Sequence, residues 1–130
     1  MKTRVMLAED HQMFRDALRA LLEKEPDIEV VAEVGDGLEL LDRARQMAPD
    51  IVCMDIGMPN LNGIEATRRL LDLFPKIRVI GLSAYTEKHF VIDMLNAGAL
   101  GYIAKASAGE QLLHAIRAVQ ANRKYLCPMV

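Results

Sequence analysis

Five short apolar, β-rich runs alternate strictly with longer segments of helical period along this chain. The runs cover residues 4–8, 28–34, 51–54, 78–82 and 100–104. Parallel neighbours cannot be joined by a tight hairpin, so strict strand–helix alternation implies a parallel sheet with helical crossovers. The first, third and fourth runs are almost continuously apolar, as expected of strands covered on both faces. With 130 residues the chain fits one compact α/β domain and leaves little room for a second.

The intervening segments carry their own signals. Phe14, Leu18, Leu21 and Leu22 mark a first helix, stopped by Pro26. Leu38, Leu41, Ala44 and Met47 mark a second, and Ile64, Thr67, Leu71 and Phe74 a third that Pro75 closes. Phe90, Val91, Met94 and Leu95 mark a fourth, ending at Asn96 and Gly98. The fifth opens with Ser107 and Glu110 at capping-box spacing and turns Leu112, Leu113, Ile116 and Val119 inward. From residue 122 to 130 the period fades, and Cys127 and Pro128 fit a tail rather than a helix.

A net charge of −2 with interleaved signs gives no basic stripe for nucleic acid. The first apolar run stops at Glu9 and Asp10, too early for a signal-peptide core, and no stretch approaches a membrane span. Cys53 and Cys127 lack metal-site spacing. Cys53, inside an apolar strand, reads as a buried reduced thiol, which makes the cytoplasm the expected compartment.

In a doubly wound sheet, ligands bind beyond the carboxyl ends of the strands. Those ends carry Glu9 and Asp10, Asp55, Ser83, and Lys105. After Asp55 the chain breaks into turn-formers, with Gly57 leaving its carbonyl free to approach a ligand and Met58–Pro59 shaping the loop. Two carboxylates about 4 Å apart repel by about 4 kcal/mol at an effective dielectric near 20. Three acids meeting there therefore call for a proton or a cation, and hard oxygen donors without His or Cys suit Mg²⁺. A carboxylate nucleophile, a divalent cation, an ammonium and a hydroxyl together make a set for phosphoryl transfer. The bland readings are a turn carboxylate for Asp55, helix-entry acids for Glu9 and Asp10, and a loop lysine for Lys105. His11, beside the acids, reads as a partly exposed residue at the start of the first helix, and His89 and His114 as helix-surface residues.

The pieces LAEDHQ, MDIGMPNLNG, GLSA and GYIAK, in this order and each at a strand end, resemble the receiver domain of bacterial two-component response regulators. The resemblance covers residues 4 to about 121. It implies a flavodoxin-like (βα)5 fold with five parallel strands in the order 2-1-3-4-5, a receiver over 1–121, and a tail or linker over 122–130. It makes Asp55 the phosphoacceptor, with Mg²⁺ held by Glu9, Asp10, Asp55 and the Gly57 carbonyl, and Lys105 and Ser83 assisting. Ala84 is the small residue that leaves access to the phosphoryl group, and Tyr102 the aromatic that swings inward as Ser83 moves. Ala106 stands where the family often has proline. The segments ATRRLLDLFPKIRVIGLSA and LLHAIRAVQANRKYLCP look most like the NarL/FixJ-type, LuxR-like subgroup, in which a helix-turn-helix DNA-binding domain follows the receiver. The implied partners are a sensor histidine kinase, a second copy on phosphorylation, and DNA only through that further domain; no membrane is implied. The expected role is regulatory rather than enzymatic. A Mg²⁺-dependent aspartyl-phosphate phosphatase and a phosphate-independent interaction module with the receiver fold remain as alternatives.

Overall fold

The computed structural model describes residues 2–84 and 88–126. Cys127, Pro128 and the rest of the expected tail beyond Leu126 lie outside the described residues. The elements run β1 (Thr3–Ala8), α1 (Gln12–Glu23), β2 (Ile28–Val34), α2 (Gly37–Met47), β3 (Ile51–Asp55), α3 (Gly63–Leu73), β4 (Arg78–Ser83), α4 (Lys88–Asn96), β5 (Gly101–Ala104), α5 (Ala108–Gln120) and β6 (Tyr125–Leu126). All neighbouring strands are parallel, in the order β2-β1-β3-β4-β5-β6. The expected five-strand order 2-1-3-4-5 is thus present, and one short strand extends it. Tyr125 and Leu126 pair with Gly101 and Tyr102, after a turn in which Asn122 takes φ 59°. Part of the segment that reads as a tail therefore belongs to the sheet.

Alternation along each strand divides the core in two. Val5, Leu7, Ile51, Cys53, Ile80, Leu82 and Ile103 face α1 and α5, packing on Leu18, Leu22, Leu112 and Ile116. Met6, Ala8, Val52, Met54, Val79 and Tyr102 face α2, α3 and α4, packing on Leu40, Ala66, Leu70 and Met94. With side chains alternating at period 2, Glu9 continues the series Val5, Leu7, and Asp55 continues Ile51, Cys53. Both acids therefore leave the sheet on the α1/α5 side. Ser83 has the opposite parity to Leu82 and falls with Val79 and Gly81 on the other side.

Local chemistry sets the helix ends. Asp36 caps α2 by accepting from the amides of Leu38 and Glu39, and Asn62 caps α3 by accepting from Glu65. Ala48, in the left-handed region at φ 46°, stops α2 ahead of Pro49. Leu38 is 52% exposed, and Leu40 and Ala44 form the buried stripe of α2 in its place. The capping box expected at Ser107 does not form. Lys105–Ser107 makes a 3-10 turn, and Ser107 Oγ donates to the Ala104 carbonyl at 3.3 Å instead of capping α5.

Candidate functional site

The carboxyl ends of β1 and β3 bring three acids together. One carboxylate oxygen each from Glu9, Asp10 and Asp55 lies within 4.8 Å of the others. Glu9 is fully buried and Asp55 is 5% exposed, while Asp10 is open to solvent. Lys105, in the turn after β5, reaches in among them. Its Nζ is 2.7 Å from Glu9 Oε1 and 3.4 Å from Asp55 Oδ2. The Lys105–Ala106 peptide is trans, like all described peptide bonds.

Backbone groups fix the two buried acids. Glu9 Oε2 accepts from the His11 amide at 2.9 Å, and Asp55 Oδ1 accepts from the Gly57 amide at 3.1 Å. The start of α3 braces the loop from below. A Cβ on Gly63 would stand 2.2 Å from the Asp55 carbonyl oxygen, so only glycine allows the helix to approach β3 this closely. Gly63 also donates its amide to the Ile56 carbonyl at 2.8 Å.

One lysine does not balance three carboxylates. Burial, joined by the negative charge of Glu9, pushes the Asp55 carboxyl up to about 6, against the pull of Gly57 and Lys105. Burial opposes the charge on Lys105, but its contacts with Glu9 and Asp55 outweigh that and raise its pKa. A group of hard oxygen donors with surplus negative charge and one face open to solvent at Asp10 fits a divalent cation of the Mg²⁺ kind.

The remaining expected residues lie around this cluster. Ser83 ends β4, one position beyond Leu82, the register partner of Asp55, and is buried. Ala84 follows it and is exposed. Tyr102 is fully buried on the α3/α4 side. Its ring fits because Gly81 has no side chain; a Cβ there would approach Tyr102 Cδ2 to 3.1 Å and Met94 Cε to 2.9 Å. Gly57, two residues past Asp55, is exposed. His11 is exposed at the N-cap of α1, and His89 and His114 are exposed on their helices.

Two residues of α1 join the site without having been singled out by sequence. Arg15 Nη1 donates to the Glu9 carbonyl at 2.9 Å, and its Nε pairs with Glu33 at 3.3 Å. The Phe14 ring lies under the Lys105 ammonium. Their only sequence signal is position, four to six residues after the acid pair and so within the first turns of the helix beside it.

An acid cluster met by Lys105, at the carboxyl end of a doubly wound parallel sheet, is the arrangement that the resemblance to receiver domains implies. Comparison with known proteins agrees: the family described as "Response regulator receiver domain" matches residues 5–117, and the chain belongs to it. It is 36% identical over 129 residues to the transcriptional regulatory protein DegU of Brevibacillus brevis, covering 99% of this chain and 55% of that protein. It is 39% identical over 123 residues to the transcriptional regulatory protein LiaR of Bacillus subtilis, covering 95% of this chain and 58% of that one. The chain thus spans somewhat over half the length of these curated relatives. Among solved structures, a LuxR-family two-component response regulator from Aurantimonas sp. SI85-9A1 superposes with a TM-score of 0.94 at 36% identity. That match covers 98% of this chain and 91% of the other. The chain is therefore a receiver domain of a response regulator, related to regulators of the LuxR/NarL kind.

Proposed function

We propose that Asp55 is the phosphoacceptor of this receiver, taking a phosphoryl group from a phosphohistidine on a sensor histidine kinase. The observation that carries this reading is the position of Lys105, which touches Glu9 and Asp55 together inside a cluster that also contains Asp10. An Asp55 carboxylate oxygen attacks phosphorus, a P–O bond forms as the P–N bond breaks, and the electron pair returns to the imidazole, which takes up a proton. Lys105 neutralises charge on the transferred group, and the Ser83 hydroxyl hydrogen-bonds one of its oxygens. Ala84 leaves the approach uncrowded. Glu9, Asp10, Asp55 and the Gly57 carbonyl are the residues that would hold Mg²⁺, which supplies charge neutralisation at the phosphoryl oxygens when bound.

The product carries close to two negative charges beside Lys105 and Ser83, enough to draw both inward and bias a two-state loop. Ser83 and Tyr102 share the α3/α4 side of the sheet, so movement of Ser83 is relayed through Tyr102 to the face of α4, β5 and α5. The output is control of transcription through a helix-turn-helix domain belonging to the whole protein, with dimerisation on phosphorylation, in the cytoplasm. On this reading the domain acts on its own phosphoryl group and turns over no separate substrate. On this reading the receiver comprises residues 1–121, with the short strand β6 (Tyr125–Leu126) within the following segment completing its sheet.

The test is incubation with acetyl phosphate and Mg²⁺ followed by peptide mapping. Wild type gains one phosphoryl group on Asp55 and Asp55→Asn gains none. Equal labelling of both proteins, or none of either, would overturn the assignment. Turnover of small phosphomonoesters would point to the phosphatase alternative instead.

A further inference from the structure

The Lys105 ammonium meets the acids on one side and α1 on the other. Its Nζ lies 5.1 Å from the centroid of the Phe14 ring, inside the ~6 Å range over which an aromatic face attracts a cation. Phe14 is half-buried and packs against the apolar cluster on the α1/α5 side. With Leu18, Leu21 and Ala108 it also lines a groove of about 380 Å³ between α1 and α5. Helical spacing alone accounts for an apolar residue here, and leucine would satisfy it. What leucine cannot supply is a ring face beneath the ammonium.

That face matters because Lys105 is long and its two acid partners are unequal. Glu9 holds Nζ at 2.7 Å and Asp55 at 3.4 Å. Left to the carboxylates alone, the ammonium is drawn toward Glu9 and is open to water on the α1 side. A ring on that side attracts the charge in a third direction and removes water from it.

We propose that Phe14 is a positioning residue for Lys105, holding its ammonium between Glu9 and Asp55 from the α1 side. The consequence for phosphoryl transfer rests on the phosphoacceptor reading of Asp55; the contact itself does not. Three variants of the full chain test it: Phe14→Leu, Phe14→Tyr and Lys105→Met, with the double variant of the first and last. Phe14→Leu keeps an apolar side chain while removing the ring face and is expected to slow modification of Asp55 by acetyl phosphate about threefold to tenfold. Mg²⁺ affinity, which Lys105 does not supply, stays within about twofold of wild type, and Phe14→Tyr restores the rate. In the Lys105→Met background, Phe14→Leu has no further effect, because the two residues act as one unit. An equal slowing in both backgrounds, or an unchanged rate in the single variant, overturns the proposal.

A second readout separates this from failure of the phosphoacceptor reading. In NMR spectra of the unmodified protein, the Lys105 ε-methylene protons should be shifted upfield by the ring in wild type and Phe14→Tyr, and return downfield in Phe14→Leu. Unchanged ε-proton shifts overturn the contact even where Asp55 is phosphorylated. If wild type takes no phosphoryl group at all, the phosphoacceptor reading falls and these shifts alone decide the role of Phe14.

Discussion

At the amino-terminal end of the sheet, Arg117 meets Asp27 at 2.7 Å and Glu25 at 3.3 Å, Arg78 holds Asn122, and the Arg4 amide donates to Asp50 at 2.8 Å. At the carboxyl end a single lysine serves Glu9 and Asp55, with Asp10 alongside. The Arg117 guanidinium holds the exposed Asp27 carboxyl below its usual range, whereas burial beside Glu9 pushes Asp55 up to about 6. One end meets its charges with opposite or neutral partners at the water boundary, where each contact contributes little. The other collects like charge out of water and stays short of a cation. The same strands thus carry a closed, self-sufficient end and an open one that, on the proposed function, takes its missing positive charge from a metal ion before a phosphoryl group adds further negative charge.

The largest break in this contrast is expected from Gly63→Ala. Its Cβ meets the Asp55 carbonyl oxygen and the Ile56 Cα, which are backbone atoms that cannot step aside. A loss of about 3 kcal/mol or more in urea unfolding is expected, together with weakened Mg²⁺ binding. Lys105→Met comes next. It strands two buried acids without their cation and should destabilise the metal-free protein by about 2 kcal/mol at pH 7.5. The penalty shrinks toward pH 5, as Asp55 takes up a proton; a urea series at both pH values checks this. Smaller again is the competition between protons and Mg²⁺. Because free Asp55 titrates near 6, Mg²⁺ affinity followed by calorimetry should be nearly flat above pH 7. Below about pH 6 it should fall by up to roughly tenfold per unit. At the opposite end, Arg117→Met should barely shift the urea midpoint, since its main partner Asp27 is exposed and screened. A large shift there would erase the distinction between the two ends.

Much of this contrast is legible in the amino-acid sequence, because it follows from two periods. Helical spacing alternating with apolar runs gives the parallel sheet, and period 2 within the runs carries Glu9 and Asp55 to the same side. The residues that stand last before each turn then name the site. What escapes is what depends on contacts between elements. β6 has two residues and no run to announce it; Tyr125 is placed by its pairing with Gly101 and by a hydrogen bond to Gln111. Ser107 and Glu110 have the spacing of a capping box, but the 3-10 turn after β5 takes the serine hydroxyl for itself. Leu38 fits the helical stripe of α2 by spacing, yet the rotation of the helix against the sheet buries Leu40. Phe14 reads as a core residue and Arg15 carries no signal of its own, and only the packing of α1 beside the acid pair shows them on Lys105 and Glu9.

The charge deficit at the carboxyl end is tested most directly by comparing the unfolding free energies of wild type and Asp55→Asn without metal, from pH 4 to 8. A carboxyl raised in the folded state contributes stability below its ordinary value near 4, and that contribution is lost as pH rises through about 6. Asn carries no such charge, so Asp55→Asn should be the more stable protein by about 1–3 kcal/mol at pH 7.5. The two should converge near pH 4, and Mg²⁺ should close the gap at neutral pH by stabilising wild type alone. An Asp55→Asn protein less stable than wild type at pH 7.5 without metal, with Mg²⁺ acting equally on both, would contradict the account.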